Sequence, residues 1–360
     1  MEHILNILKE FNNKYKSKNK DEISINYFIN EEGIFNLFGE EFVKNKMNNI
    51  DWIINGKENI LIEKYKLKAG ENNIKLIIKN KITNLEYMFK FWNYLKNIEG
   101  LKYLDIKDIN YFSYIFYGYS SLSNINGLIN WNVSNANNFK GMFYGYSSLL
   151  NINGLINWNV SNVINFNSIF SHCSSLSDIN GLKNWNVSNA NNFEYMFKKC
   201  SLLSDINGVK NWNLSNANSF LGLFYGCSSL SDINGLINWN VSNEKKFGSM
   251  FYGCSSLSDI NGLKDWNISN ANNFGGMFNG CSSLTDTYGL KNWNVSNVNN
   301  FLGLFNGCLS LSDINGLKGC NVSNAKLYRR YVLKMFIFIK FRIFTKLENI
   351  QKWYWINDII

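Results

Sequence analysis

From Trp131 onward the apolar residues fall mostly at every third position: Val160, Val163 and Phe166 are followed by Phe170, Cys173, Leu176, Ile179 and Leu182. A helix repeats at about 3.6 residues and a half-exposed strand at every second residue, so neither fits. The spacing predicts coils of short extended pieces joined by bends, each inward residue stacking on its equivalent in the next coil. Asn180–Gly181, Asn207–Gly208 and Tyr225–Gly226 are the expected bends, because glycine and asparagine tolerate positive φ.

The pattern itself repeats. Trp131, Trp158, Trp185, Trp212, Trp239, Trp266 and Trp293 lie 27 residues apart. Cys173, Cys200, Cys227, Cys254, Cys281 and Cys308 keep the same interval, with Tyr119 and Tyr146 in the two earlier places. The unit reads approximately WNVSNANNFxxMFxGCSSLSDINGLKN. LDIKDINYFSYIFYGY (104–119) overlays WNVSNANNFKGMFYGY (131–146), and Phe89 falls 27 before Phe116, which gives nine units over 77–319 without insertion or deletion. No single coil can bury its own apolar face, so stability has to come from its neighbours. At ~4.8 Å per stacked strand, the nine units predict a stack about 40 Å long.

The residues before the repeats carry a different signal. Trp52-Ile53-Ile54 and Ile60-Leu61-Ile62 flank Asn55–Gly56, which predicts a hairpin, though not necessarily with the tightest turn. IKLIIKN (74–80) leads into the first coil. Residues 1–76 are therefore expected to form an N-terminal cap, a short helix over 1–11 plus a β-hairpin, joined by the polar stretch 12–22. Residues 77–325 form the repeat region.

The MFxGCSSL…NWNVSN pattern resembles the BspA-like leucine-rich-repeat surface proteins of bacteria, protists and some large DNA viruses. The resemblance covers 77–325, and GIFNLFGEEFVKNKMNNIDWIINGKENIL (33–61) is similar to the segment preceding such repeats in protist members. It implies a mainly β, leucine-rich-repeat-type solenoid of about nine coils with a β-rich N-terminal cap. It also implies surface display, adhesion or other protein binding, and no catalytic residues. The opening MEHILNILKEFNNKYKSKNK lacks the features of a secretory signal, and no stretch reaches the ~18 uncharged apolar residues of a membrane span, which leaves the compartment open.

Composition narrows the chemistry. The 360 residues include two histidines, His3 and His172, no proline and eleven tryptophans, so acid–base or metal catalysis has few candidates. No Gly-rich phosphate loop and no nucleophile with a plausible histidine is present, and we expect no enzyme and no cofactor. The net charge of +9 divides into 0 for 1–76, +2 for 77–130, +1 for 131–319 and +6 for 320–360. With ten basic and nine acidic residues over 131–319, the repeats do not form a nucleic-acid surface. We expect a monomer that binds a protein.

The regular columns are expected to be structural. The cysteines have no C-x2-C pair and read as small apolar residues packed inside each coil, with Cys320 standing in an eighth tryptophan position. The tryptophans read as a packing ladder, against an alternative in which they stack on carbohydrate. Asp178, Asp205, Asp232, Asp259, Asp286 and Asp313 form a row of like charges, for which Lys183, Lys210, Lys264, Lys291 and Lys318 are the expected compensation and calcium or a capping role the alternatives. The Asn-x-Ser steps from Asn132 to Asn321 are expected to bond backbone groups at bends. The positions that vary follow the first phenylalanine of each unit. Lys140, Asn167, Glu194, Tyr195 and Leu221, with the interruption Glu244-Lys245-Lys246, are the candidate partner-binding residues, and a carbohydrate-binding surface or a purely structural spacer are the other readings.

The tail 326–360 breaks the pattern. All three arginines, Arg329, Arg330 and Arg342, lie there. Skipping one nucleotide after Ala325 gives, under permitted codon choices, NYIEDMFLKCSSLSNLEYLQNWKIS. The recovered cysteine falls 27 after Cys308. We expect this basic tail to be another repeat read out of frame.

Overall fold

The computed structural model describes residues 21–46, 49–78, 82–90, 98, 101, 104–118, 121–318, 320 and 324. The expected helix over 1–11, Tyr119 and the tail 326–360 lie outside the described residues.

Among the described residues, regular strands are confined to 21–78. β1 (Asp21–Ile29), β6 (Gly70–Ile78), β3 (Ile50–Ile54) and β4 (Lys57–Ile60) form one antiparallel sheet in that order, and β2 (Gly33–Asn36) pairs with β5 (Lys64–Leu67) in a second. A short helix, α1 (Glu40–Lys46), follows β2. The turn between β3 and β4 is the two-residue kind, since Asn55 and Gly56 both have positive φ (48° and 82°). The tightest turn, left open by the sequence, is the one formed. Trp52 is fully buried here, edge-on to Phe38 and Tyr65, and its indole N–H donates to the Ile60 carbonyl.

From Asn84 on, the described residues form coils of turns. From Asn126 on, each coil carries a three-residue 3-10 helix, at an Asn-Gly-Leu step except for Asn207–Val209 and Tyr288–Leu290, as far as Asn315–Leu317, and neighbouring coils meet in single-residue parallel bridges such as Asn138–Asn165 and Asp232–Asp259. The walls are therefore bends held by bridges, and not the extended pieces that three-residue spacing predicted. The stacking is consistent with a repeat solenoid.

Neighbouring coils are bound through backbone and core. Phe139, Gly141, Phe143 and Gly145 each donate a backbone N–H to the coil that follows, at 2.8–2.9 Å. Inside, Phe89, Phe116, Phe143, Phe170, Phe197, Phe224, Phe251, Phe278 and Phe305 form a continuous ring stack with centroids 5.4–5.8 Å apart. The buried core runs without a break from Ile29 to Leu311, so the sheets and the coils share it.

One expectation about the bends needs correction. Asn180–Gly181 and Asn207–Gly208 do not use positive φ but are 3-10 turns, whereas Asn279–Gly280 and Asn306–Gly307, in the place of Tyr225–Gly226, have glycine φ of 77° and 73°. A Cβ on Gly181 would lie 2.2 Å from the Ile152 carbonyl oxygen, so glycine is needed there because the preceding coil's backbone leaves no room. Positive φ does occur at the Tyr-Gly step, where Gly226 has φ 73°.

Candidate functional site

The tryptophan ladder faces inward. Trp131, Trp158, Trp185, Trp212, Trp239, Trp266 and Trp293 are only 3–7% exposed. From Trp131 to Trp266 they stack nearly parallel at 6.1–6.5 Å. Each indole N–H of the seven donates to a buried carbonyl 30 residues earlier, as Trp239 does to Val209 at 2.9 Å. No face of these seven tryptophans is available to a ligand.

The cysteines are equally interior. Cys173, Cys200, Cys227, Cys254, Cys281 and Cys308 are buried free thiols, each Sγ 3.0–3.3 Å from a phenylalanine carbonyl oxygen in the preceding coil. Burial pushes the Cys254 thiol up to about 12. A thiol held protonated and out of water is a poor nucleophile. We therefore expect alkylation of the native chain to stop at the half-buried Cys320, and the unfolded, unreduced chain to give seven thiols; native labelling of the column at the rate of Cys320 would contradict this packing.

The aspartate row is relieved differently from the expected lysine compensation. Among the described residues no ion pair joins these aspartates to Lys183, Lys210, Lys264, Lys291 or Lys318. Instead each Oδ1 accepts the backbone N–H two residues on, from Asn180 to Asp178 at 3.0 Å through Asn315 to Asp313 at 2.7 Å. That backbone bond holds the Asp313 carboxyl below its usual range. The asparagines act similarly. Asn159 accepts the Ser161 N–H, and Asn162 donates to the Ser134 carbonyl of the coil before.

The positions after the first phenylalanine of each unit form a wall. Lys140, Asn167, Glu194, Tyr195 and Leu221 are half-buried there, and Lys245 and Lys246 are exposed. Glu244 departs from the sequence-based assignment. It occupies the column of Ala217 and Ala271, is fully buried, and receives the N–H groups of Lys245 and Lys246 on Oε1 at 2.8 and 2.6 Å while its Oε2 has no hydrogen-bond partner. It cannot read a partner from inside the core. Asn167 and Glu194 are tied to each other, and Ser219 donates to Glu194 at 2.6 Å.

Beyond Tyr195, what sequence reasoning missed is a set of tyrosines on the same wall. Tyr87 and Tyr114 stack at 5.2 Å, Tyr117 and Tyr144 at 4.8 Å, and Tyr225 and Tyr252 at 4.5 Å with rings parallel to within 2°. Lysines lie over the rings: Lys140 over Tyr114, and Lys198 5.0 Å from the Tyr195 centroid and 5.4 Å from that of Tyr225. Tyr87, Tyr114 and Tyr195 have positive φ (59°, 56° and 56°), a conformation that coils elsewhere give to Gly141 or Gly222. The pairing has a steric reason. A Cβ on Gly222 would lie 2.4 Å from the Tyr195 ring, so the ring lies flat where the next coil has no side chain. Burial raises the phenols of Tyr87, Tyr195 and Tyr225, which keeps them neutral hydrogen-bond donors. The signal in the sequence was the alternation of tyrosine with glycine and serine in the column of Tyr87, Tyr114 and Tyr195, with Tyr117, Tyr144, Tyr225 and Tyr252 in a second column three residues on.

Among the described residues no helix is long and apolar enough to cross a membrane, and no group of three or more His, Cys, Asp or Glu side chains is placed to hold a metal ion. The sequence profile of a family described as Mycoplasma protein of unknown function, DUF285, matches residues 63–153, 83–207, 111–235, 147–260 and 223–336, an unbroken run from 63 to 336. No curated protein and no solved structure matches the chain.

Proposed function

We propose a role for a chain that belongs to the family described as Mycoplasma protein of unknown function, DUF285: it is a non-enzymatic protein-binding module of adhesion type. Its stack is a leucine-rich-repeat-like solenoid, capped at its first coil by the sheets of 21–78. The likeness of MFxGCSSL…NWNVSN to BspA-like surface proteins supports that reading. So does the approach of Gly39 to the Tyr87 carbonyl, where the cap meets the coils.

One observation carries the assignment: the half-exposed tyrosines and lysines lie on one wall, at the positions where the coils differ, while the interior repeats. Tyrosine supplies large contact area at small cost in side-chain entropy, and such residues dominate protein interfaces. The contact centre is Tyr195, Lys198, Tyr225 and Tyr252, flanked by Leu221.

A capture experiment with the full chain tests this. A protein retained by the wild type is expected to be lost with Tyr225→Ala/Tyr252→Ala, by a factor of about 30 or more for two anchor side chains, and kept with Lys264→Ala on the 3-10 turns. Capture insensitive to the tyrosine pair, with folding intact by circular dichroism, rejects the wall as the contact surface.

A further inference from the structure

The first coils carry a second feature that the protein-binding reading does not use. A cleft of about 380 Å³ opens on the wall, lined by Tyr87, Lys90, Tyr114, Tyr117, Tyr144 and Ser168. We propose that this cleft is a carbohydrate subsite that takes one neutral pyranose ring, a hexose or N-acetylhexosamine, of a glycan.

The volume lies near the lower end of the ~300–1,000 Å³ of small-ligand sites, so it suits one compact residue rather than a long chain. The lining is four phenol rings, one ammonium and one hydroxyl, with no aliphatic side chain. An aliphatic peptide anchor would leave those polar groups unmatched, at a cost for each. A pyranose carries a face of C–H groups and a rim of hydroxyls, which matches ring and polar group together.

The rings are set at a corner. Tyr87 and Tyr114 lie within 12° of parallel, Tyr117 and Tyr144 within 20°, and the two pairs meet at 78° between Tyr114 and Tyr117. A flat ligand resting on one pair therefore meets the other at a steep angle, which fixes its orientation. The corner is held before any ligand arrives. Tyr114 lies against Gly141, whose Cβ, were there one, would be 2.3 Å from its ring. Lys90 is tethered 3.5 Å from Glu41 and 4.9 Å from the Tyr87 centroid. Tyr87 and Tyr114 stay at positive φ, where bulky residues are rare outside constrained sites. Such preorganisation lowers the ordering cost of binding. Two ammonium groups, Lys90 and Lys140, are matched by two carboxylates that act on Tyr87, those of Glu41 and Glu86, so the cleft offers no strong attraction to a polyanion, which favours a neutral sugar.

The full chain would be applied to an array of immobilised neutral and acidic mono- to tetrasaccharides, and the best-bound free sugar titrated calorimetrically. Saturable binding of a neutral sugar is expected. Tyr117→Ala should weaken it about tenfold or more, whereas Tyr117→Phe, which keeps the ring, and Tyr252→Ala, in the protein-binding wall, should change it less than about threefold. Lys90→Gln offers a second variant should Tyr117→Ala fold poorly, with about a fivefold loss expected for one lost hydrogen bond. No bound sugar, a preference for acidic sugars alone, or binding that both Tyr117→Ala and Lys90→Gln leave intact overturns the proposal. Because the capture test uses Tyr225 and Tyr252, either reading can fail without the other.

Discussion

Replacing Phe251 by alanine should lower the unfolding free energy by about 3–5 kcal/mol, the cost of truncating a large side chain that its surroundings cannot refill. Phe251 is fully buried with parallel rings on both sides, Phe224 at 5.8 Å and Phe278 at 5.7 Å. Neighbouring coils bracket it, so the cavity cannot collapse from one side alone. It is also a link in the interface between three coils, where stability is a sum of nearest-neighbour terms. The damage should therefore appear as loss of cooperativity along the stack as well as a lower midpoint. Chemical denaturation followed by tryptophan fluorescence measures both, since the indole ladder runs beside the phenylalanines. An unchanged midpoint would show that the two stacked neighbours do not depend on the ring.

Glu244→Ala should stabilise the protein at pH 8 and do so much less at pH 5. Burial pushes the Glu244 carboxyl from its ordinary 4.5 up to about 7, against the opposing pull of the Lys246 and Lys245 N–H groups and with a further push from Glu194. Folded chains thus keep a proton that unfolded chains have lost between those two values. Stability contributed by the protonated form is fully present below pH 4.5, falls as pH rises, and is gone above about 7. The shift corresponds to roughly 3 kcal/mol at one site. Alanine restores the residue that Ala217 and Ala271 supply in adjoining coils, although it forfeits the two bonds on Oε1. Urea denaturation of both proteins across pH 5–8 decides the matter. A wild-type-to-variant difference that stays flat over that range would mean the carboxyl is not desolvated.

The repeat was legible because stacked coils impose one requirement on every unit. A residue that must lie on its own equivalent cannot change type or interval, so period, register and the inward columns of phenylalanine, tryptophan and cysteine are written in the chain. The β3–β4 hairpin was legible for a local reason, since Asn55–Gly56 favours the positive φ that its turn requires. Sequence spacing did not convey how the backbone travels within a coil. Apolar residues three apart are compatible with extended pieces or with turns, and only the approach of Ile152 to Gly181 selects the 3-10 form.

The wall shows the same division. Composition alone marked Glu244 as an interruption beside two lysines, which reads as surface; that it points inward follows from its register in the alanine column, where the neighbouring coils close over it. The aspartate row looked like a charge problem to be solved by lysines five residues on, yet backbone N–H groups two residues on are closer and already fixed by the turn. The tyrosines fall in two columns of the 27-residue repeat, Tyr87, Tyr114 and Tyr195 in one and Tyr117, Tyr144, Tyr225 and Tyr252 in the other, but other residue types fill those columns in the remaining coils, so the repeat did not mark them as it marked the inward columns. What the sequence determined is therefore whatever every coil must share, because identical neighbours enforce it. The tertiary structure alone decided what single coils add, because a side chain at a variable position gains its partners only when the next coil is laid against it.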